Sequence, residues 1–150
     1  MRFIHTADWH LGRNFRGIQL TEDQAYVLQD FLRMVTDSRA EAVIIAGDIY
    51  DRAVPPTEAV ELFDEVLTKL LLEKKVKVFC VAGNHDSAQR VGFGSRLLAG
   101  QGLFLRGKLT QEQQPVVLED RYGPVYFSLF PYMDPAAVRA AYGWQEIMDF

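Results

Sequence analysis

Three short clusters in this 150-residue chain carry side chains that can hold metal ions: Asp8-Trp9-His10, Gly47-Asp48-Ile49-Tyr50-Asp51 and Gly83-Asn84-His85-Asp86. Carboxylate, imidazole and amide oxygen form a donor set without thiolate, suited to Mn²⁺, iron, Zn²⁺ or Mg²⁺. The two-residue step from Asp8 to His10 puts both side chains on one side of an extended chain, so both can reach one ion. Asp48 can bridge two ions, because each of its oxygens has lone pairs to give. Asn84 adds a neutral oxygen and limits the negative charge facing an anion such as a phosphate. Glycine before Asp48 and before Asn84 permits a sharp backbone turn at each place. Singly the clusters are weak signals, since Asp, Asn and Gly also build ordinary turns. All three in order, each directly after an apolar run and using two of the three histidines, are more than ordinary turns require.

The elements that must position these clusters show as hydrophobic patterns. Met1 to Ala7 reads as a strand. Ala42-Val43-Ile44-Ile45-Ala46 and Val76 to Ala82 read as strands buried on both faces, each stopped by a glycine. Between the first two, Thr21-Glu22-Asp23-Gln24 predicts a capping box. Leu28, Phe31, Leu32 and Val35 then follow the spacing of an amphipathic helix. Pro55-Pro56-Thr57 opens a second helix that places Val60, Phe63, Val66, Leu67, Leu70 and Leu71 on one side, with Lys74 and Lys75 at its C-terminal end. Strand, helix, strand, helix, strand at this spacing implies an α/β fold with a parallel βαβαβ portion and right-handed crossovers. Ligands gather outside the carboxyl ends of such strands, where the three clusters fall. Further on, Ser95 to Ala99 is expected to be a short helix. Leu103-Phe104-Leu105, Pro115 to Leu118 and Val125 to Phe130 are expected strands, the last two joined by a hairpin across Asp120-Arg121-Tyr122-Gly123. Asp134-Pro135 marks a helix start. Phe63, Leu67, Leu70 and Leu71 are expected in the core.

Hydrophobic residues make up 49% and charged residues 24%, the balance of a globular chain rather than a disordered one. No apolar run approaches the ~20 residues of a membrane span, and the N-terminus reads as a strand rather than a signal peptide. Cys80 stands alone in an apolar segment, which fits a buried thiol in a reducing compartment, so a cytoplasmic location is expected. The net charge of −4 gives no support for general nucleic-acid binding, which would need a local patch. Arg13, Arg16, Arg52 and Arg90 each follow closely after a cluster and could form that patch, or simply mark where surface loops run. His5 shares a strand face with Phe3 and is expected to be a packed core histidine. Trp9 either shields the site or packs.

The three clusters resemble the first three motifs of the calcineurin-like metallophosphoesterase family, Asp-x-His, Gly-Asp-x-x-Asp and Gly-Asn-His-Asp/Glu. The wider strings His5 to Arg13 and Gly47 to Pro56 resemble in particular the SbcD-type nuclease subunits of bacterial SbcCD complexes. The resemblance runs from Met1 to about Tyr132. It implies a metallophosphoesterase-like sheet sandwich flanked by helices, and a metal-dependent DNA exo- and endonuclease acting in DNA repair, recombination and replication. It further implies two divalent metal ions, Mn²⁺ first among them, and DNA, an SbcC-like ATPase and a second nuclease subunit as partners. Asp8 and His10 match ligands of the first metal, Asp48 the bridging ligand and Asn84 a ligand of the second. His85 matches the histidine that assists catalysis beside the scissile phosphate, with Asp86 orienting it. Asp51 is a supporting group, at a place where break-repair relatives often carry a histidine. Apart from these matched positions, Arg13, Arg16, Arg52 and Arg90 would be the DNA-phosphate contacts if their spacing does form a patch rather than mark surface loops.

The family completes its site with a further histidine and a Gly-His-x-His motif, and no histidine follows His85 here. Residues 1–150 are therefore expected to be the N-terminal part of the nuclease domain, without the capping and ATPase-binding regions, and impaired or inactive alone. The tail aromatics Tyr142, Trp144 and Phe150 would pack against a further part of the protein. Two other readings stand beside this one: a metallophosphoesterase acting on nucleotides or phosphoproteins, and an inactive partner-binding fragment.

Overall fold

Four parallel strands hold the fold together: β1 (Phe3–Thr6), β4 (Ala42–Ala46), β5 (Lys77–Val81) and β6 (Leu103–Arg106), side by side in that order. The computed structural model describes residues 1–110 and 113–143. Each strand pairs with the one before it in that series, in the registers Phe3↔Ala42, Ala42↔Lys77 and Val78↔Leu103. Helix α1 (Thr21–Ser38) crosses from β1 to β4, and α2 (Thr57–Thr68) from β4 to β5. The short helices α3 (Ala88–Val91) and α4 (Ser95–Leu98) lead to β6. Strands added on one side with a fixed crossover hand bring the helices to one face of the sheet.

That face and the helices share one apolar core. Val43, Ile45, Val78, Cys80 and Ala82 from the sheet meet Leu28, Leu32 and Val35 of α1 and Ala59, Leu62, Phe63 and Val66 of α2. Alternate residues face the other way, as strand geometry requires. Ala42 and Phe79 there pack with Phe127 and Leu129, flanked by Ile44, Val81, Phe104, Val116, Leu118 and Val125. The cover is the antiparallel hairpin of β7 (Val116–Asp120) and β8 (Gly123–Phe127), whose Phe127 ring stacks on Phe79 at 4.4 Å. A parallel sheet between helices and a second, small sheet is the expected α/β arrangement. Helix α5 (Pro135–Tyr142) starts where expected, with the Asp134 carboxylate accepting the Ala136 amide.

Several expectations need correction. No side chain caps α1: Leu20 is the N-cap residue, and Gln24 turns elsewhere. Helix α2 widens at its end into a π-turn, Lys69–Glu73, closed by the Lys74 amide on the Lys69 carbonyl. His5 is exposed rather than packed, because β1 is the edge strand and cover on that face reaches Phe3 through Phe127 but not His5. A small antiparallel hairpin, β2 (Asn14–Phe15) and β3 (Ile18–Gln19), follows the first cluster and was not expected. Cys80 is buried as expected, and burial pushes its thiol well above the ordinary range, helped by the Asp86 charge. The Tyr142 hydroxyl donates to the Thr110 carbonyl at 3.4 Å. Trp144 and Phe150 lie outside the described residues.

Candidate metal centre

The loops after β1 and β4 stay hydrogen-bonded beyond the ends of their strands. The Asp8 amide donates to the Gly47 carbonyl at 3.1 Å, His10 to Asp48 at 2.9 Å, Leu11 to Ile49 at 2.9 Å, and Asp51 back to Leu11 at 3.1 Å. The first cluster therefore runs in register beside the second. This pairing requires unusual backbone: Asp8, His10 and Asp48 all sit at positive φ, 58°, 45° and 48°. Left-handed conformations cost a non-glycine residue free energy, and they gather at functional sites when the surroundings enforce them. The extended chain expected from Asp8 to His10 is thus replaced by two left-handed residues, and the side chains still converge.

The loop after β5 closes over the same place. The Asp48 carboxylate accepts the His85 amide at 3.0 Å. Gly47 has φ +91°, and a Cβ there would stand 2.9 Å from the Gly83 Cα. Gly83 does not need a positive φ; it is glycine because Asp48 fills the space a side chain would take. Asp86 ties the two loops together, accepting the amides of Ile49 (3.1 Å), Tyr50 (3.0 Å) and Gly83 (2.9 Å). The orienting role expected of Asp86 towards the His85 ring passes to Asp51, whose carbonyl lies 2.9 Å from Nδ1 of His85.

Gln24 is a supporting residue that its place in the sequence did not reveal. Its Nε2 donates to the carbonyls of Trp9 (3.1 Å) and His10 (2.8 Å), and its Oε1 accepts the Gly12 amide (3.0 Å). One helical side chain thus clamps the turn that carries Asp8 and His10. Trp9 packs: its ring meets Phe31 and Phe63 edge-on, and Nε1 donates to the Thr6 hydroxyl at 2.9 Å. Tyr50, resting edge-on against Phe63, has its phenol pushed up to about 12 by burial and then by the Asp86 charge.

Nε2 of His10 stands 4.0 Å from Asp8 Oδ1 and 3.9 Å from Asp48 Oδ2. These gaps are too wide for hydrogen bonds. They are somewhat wider than the roughly 3.0–3.4 Å between neighbouring donors that each stand about 2.1 Å from one cation, so small side-chain movements would seat one. Asp8, His10 and Asp48 form one group whose donor atoms lie within 4.8 Å of one another, and His10, Asp51 and His85 form another. Asp51 Oδ1 is 3.3 Å from Nδ1 of His10, yet that buried nitrogen makes no hydrogen bond with it. Asp48 is the one buried charged side chain among the described residues, and no described Lys or Arg pairs with it. Converging carboxylates without a basic neighbour, beside an imidazole nitrogen lacking a partner, fit divalent cations.

His85 is exposed, with its ring edge-on to His10 at 4.8 Å. The Asp51 carbonyl can only accept, so Nδ1 carries a proton and Nε2 is the nitrogen that can take up or release one. That hydrogen bond, together with the charges of Asp48, Asp51 and Asp86, raises the pKa of His85 against an opposing desolvation. Asn84 lies exposed at the head of the same loop. Arg13, Arg16, Arg52 and Arg90 are all exposed and form no ion pair with a described residue, and Arg16 lies over the Phe15 ring at 5.5 Å.

Residues 1–137 match the family model of the calcineurin-like phosphoesterases. Over 129 residues the chain is 36% identical to the SbcD subunit of the SbcCD nuclease of Staphylococcus epidermidis. That match covers 86% of this chain and 34% of the relative, so the chain spans about a third of the length of the curated relative it matches. No described helix is long and apolar enough to cross a membrane.

Proposed function

The chain belongs to the calcineurin-like phosphoesterase family, and on that premise we propose that it carries the metal-binding face of an SbcD-type DNA nuclease that hydrolyses phosphodiester bonds. One observation supports this above all. Asp8, His10 and Asp48 converge on left-handed backbone at adjoining parallel-strand ends, with His85 beside them. The similarity to a nuclease subunit supports DNA over other phosphoesters. On this reading residues 1–150 are the N-terminal part of the nuclease domain.

Asp8 and His10 would hold one divalent cation, Asn84 would serve a second, and Asp48 would reach both. Such ions, Mn²⁺ being the proposed pair, polarise a phosphodiester and make a nucleophile of water near neutral pH. The protein's own part is positional. Gln24 and Asp86 fix the loops, so the ligands need little reorganisation when a cation arrives. Nδ1 of His85 is held on the Asp51 carbonyl, which leaves Nε2 to give a proton to the departing oxygen. The exposed arginines would meet DNA phosphates.

An SbcC-like ATPase and a second copy of the nuclease subunit are the partners this reading implies, in a cytoplasmic setting. The apolar groove of about 700 Å³ lined by Val60, Leu67, Leu71, Leu72 and Phe93 lies on the helical side, where a second copy would dock.

The test uses the full-length enzyme, in which the family's further histidines complete the site, with Mn²⁺, a labelled linear DNA duplex and a small chromogenic phosphodiester. Asp48→Ala and His85→Ala should each abolish DNA cleavage, with a drop of at least about a hundredfold for His85→Ala. Hydrolysis of the small diester with intact DNA would favour a phosphoesterase acting on nucleotides or phosphoproteins. Undiminished cleavage by both variants would refute the site.

A further inference from the structure

We propose that the β2–β3 hairpin is a base-stacking element of the metal centre, in which Phe15 and Ile18 receive an unpaired DNA base beside the bound phosphate. The proposal rests on the nuclease reading above and adds to it a contact with the base rather than the backbone.

The hairpin is built onto the site. The Arg13 amide donates to the carbonyl of His10 at 3.1 Å, and the Leu20 amide closes the root on the Arg13 carbonyl at 3.0 Å. Phe15 therefore stands five residues from His10, a chain reach of at most about 18 Å. The tip is a two-residue turn with both central residues left-handed, Arg16 at φ 52° and Gly17 at φ 87°. This is the turn whose twist matches an antiparallel ribbon. The Asn14 side chain steadies it by accepting the Gly17 amide at 2.8 Å.

Cross-strand partners project from the same face of a ribbon, and Phe15 pairs with Ile18. The two form one apolar surface, yet Phe15 is 56% and Ile18 64% exposed. Packing within the described residues does not account for a phenylalanine there. Arg16 lies across the Phe15 ring at 5.5 Å and Arg13 sits at the root. Residues 11–20 hold these two arginines and no acidic residue, in a chain of net charge −4. An aromatic face flanked by arginines is how proteins take single-stranded nucleic acid: the ring stacks on the base and the cations meet phosphates. The local positive charge favours a polyanion over an apolar protein surface as the occupant.

The test measures binding of the full chain to a labelled single-stranded oligonucleotide and to an abasic strand of equal length, by fluorescence anisotropy. The unsubstituted protein should prefer the base-bearing strand by about tenfold or more. Phe15→Ala should remove the preference and leave affinity for the abasic strand as it was, and Phe15→Trp should restore it. A preference that survives Phe15→Ala, or equal weakening on both strands, overturns the proposal. So does Phe15→Trp emission shielded from acrylamide without DNA, which would show that the chain itself covers the hairpin. If the unsubstituted protein hydrolyses a chromogenic phosphodiester with Mn²⁺ but binds neither strand, the DNA reading fails and the stacking role falls with it.

Discussion

Gly83 lies so close to Asp48 that a Cβ at position 83 would stand 2.1 Å from Oδ1 of Asp48 and 2.2 Å from its amide nitrogen. The obstacle is a carboxylate and a backbone nitrogen, neither of which can swing aside as the end of a flexible side chain could. Gly83→Ala should therefore displace Asp48 and weaken Mn²⁺ binding about 10- to 100-fold, the usual cost of disturbing a ligand's support. Calorimetric titration with Mn²⁺ measures it. Unchanged affinity would mean that Asp48 does not bind the cation from this position.

Asp86 satisfies three backbone amides from two loops. Asp86→Ala leaves all three without their acceptor, a loss of about 2–4 kcal/mol. Asp86→Asn keeps one acceptor oxygen and should lose less. Urea unfolding monitored by circular dichroism separates the two, and equal midpoints for wild type and Asp86→Ala would remove Asp86 from this role.

Gln24→Ala tests the clamp on the Trp9–Gly12 turn. Alanine is the better helix former, so α1 itself should not weaken. Hydrogen exchange at the Gly12 amide should accelerate, because its acceptor is gone, and Mn²⁺ affinity should fall about tenfold. Unaltered exchange at Gly12 would show that the turn holds without Gln24.

The metal-free protein should show His85 titrating above an unperturbed histidine, first because of the Asp51 carbonyl and then because of nearby carboxylates. A folded pKa above the unfolded one means that the contribution to stability is complete below the unfolded value of about 6.5. It is lost as pH rises through the folded pKa. A divalent cation would offset the charges of Asp48 and Asp51 and move the midpoint down. NMR titration of the His85 ring with and without Mg²⁺ reads both shifts, and a midpoint below the free-histidine value in metal-free protein contradicts the geometry.

The parallel core was legible because β4 and β5 are short apolar runs stopped by glycine, a pattern that burial on both faces imposes. The convergence of Asp8, His10 and Asp48 was legible from their place at strand ends, although not the left-handed backbone that achieves it. Other features leave little trace in a pattern. Gln24 has the position of a capping-box residue, and only the turn it folds against decides that it points at Trp9 and His10. His5 has the same neighbours in sequence as a core histidine would. Its exposure depends on β1 being an edge strand and on how far the β7–β8 hairpin reaches. The β2–β3 hairpin has two residues per strand, too few for any alternation to register.

The strand order β1-β4-β5-β6 means that each strand finds its neighbour already made when it emerges from the ribosome. Each pairing must still close a helical crossover, from Phe3 to Ala42 and from Ala42 to Lys77, at a cost in loop-closure entropy, but none waits for a strand not yet synthesised. By the time Asp86 has left the exit tunnel, every residue that links the three loops has been synthesised. Assembly of this site can thus proceed during translation, and cations available then could bind to the nascent chain and bias it towards its folded form.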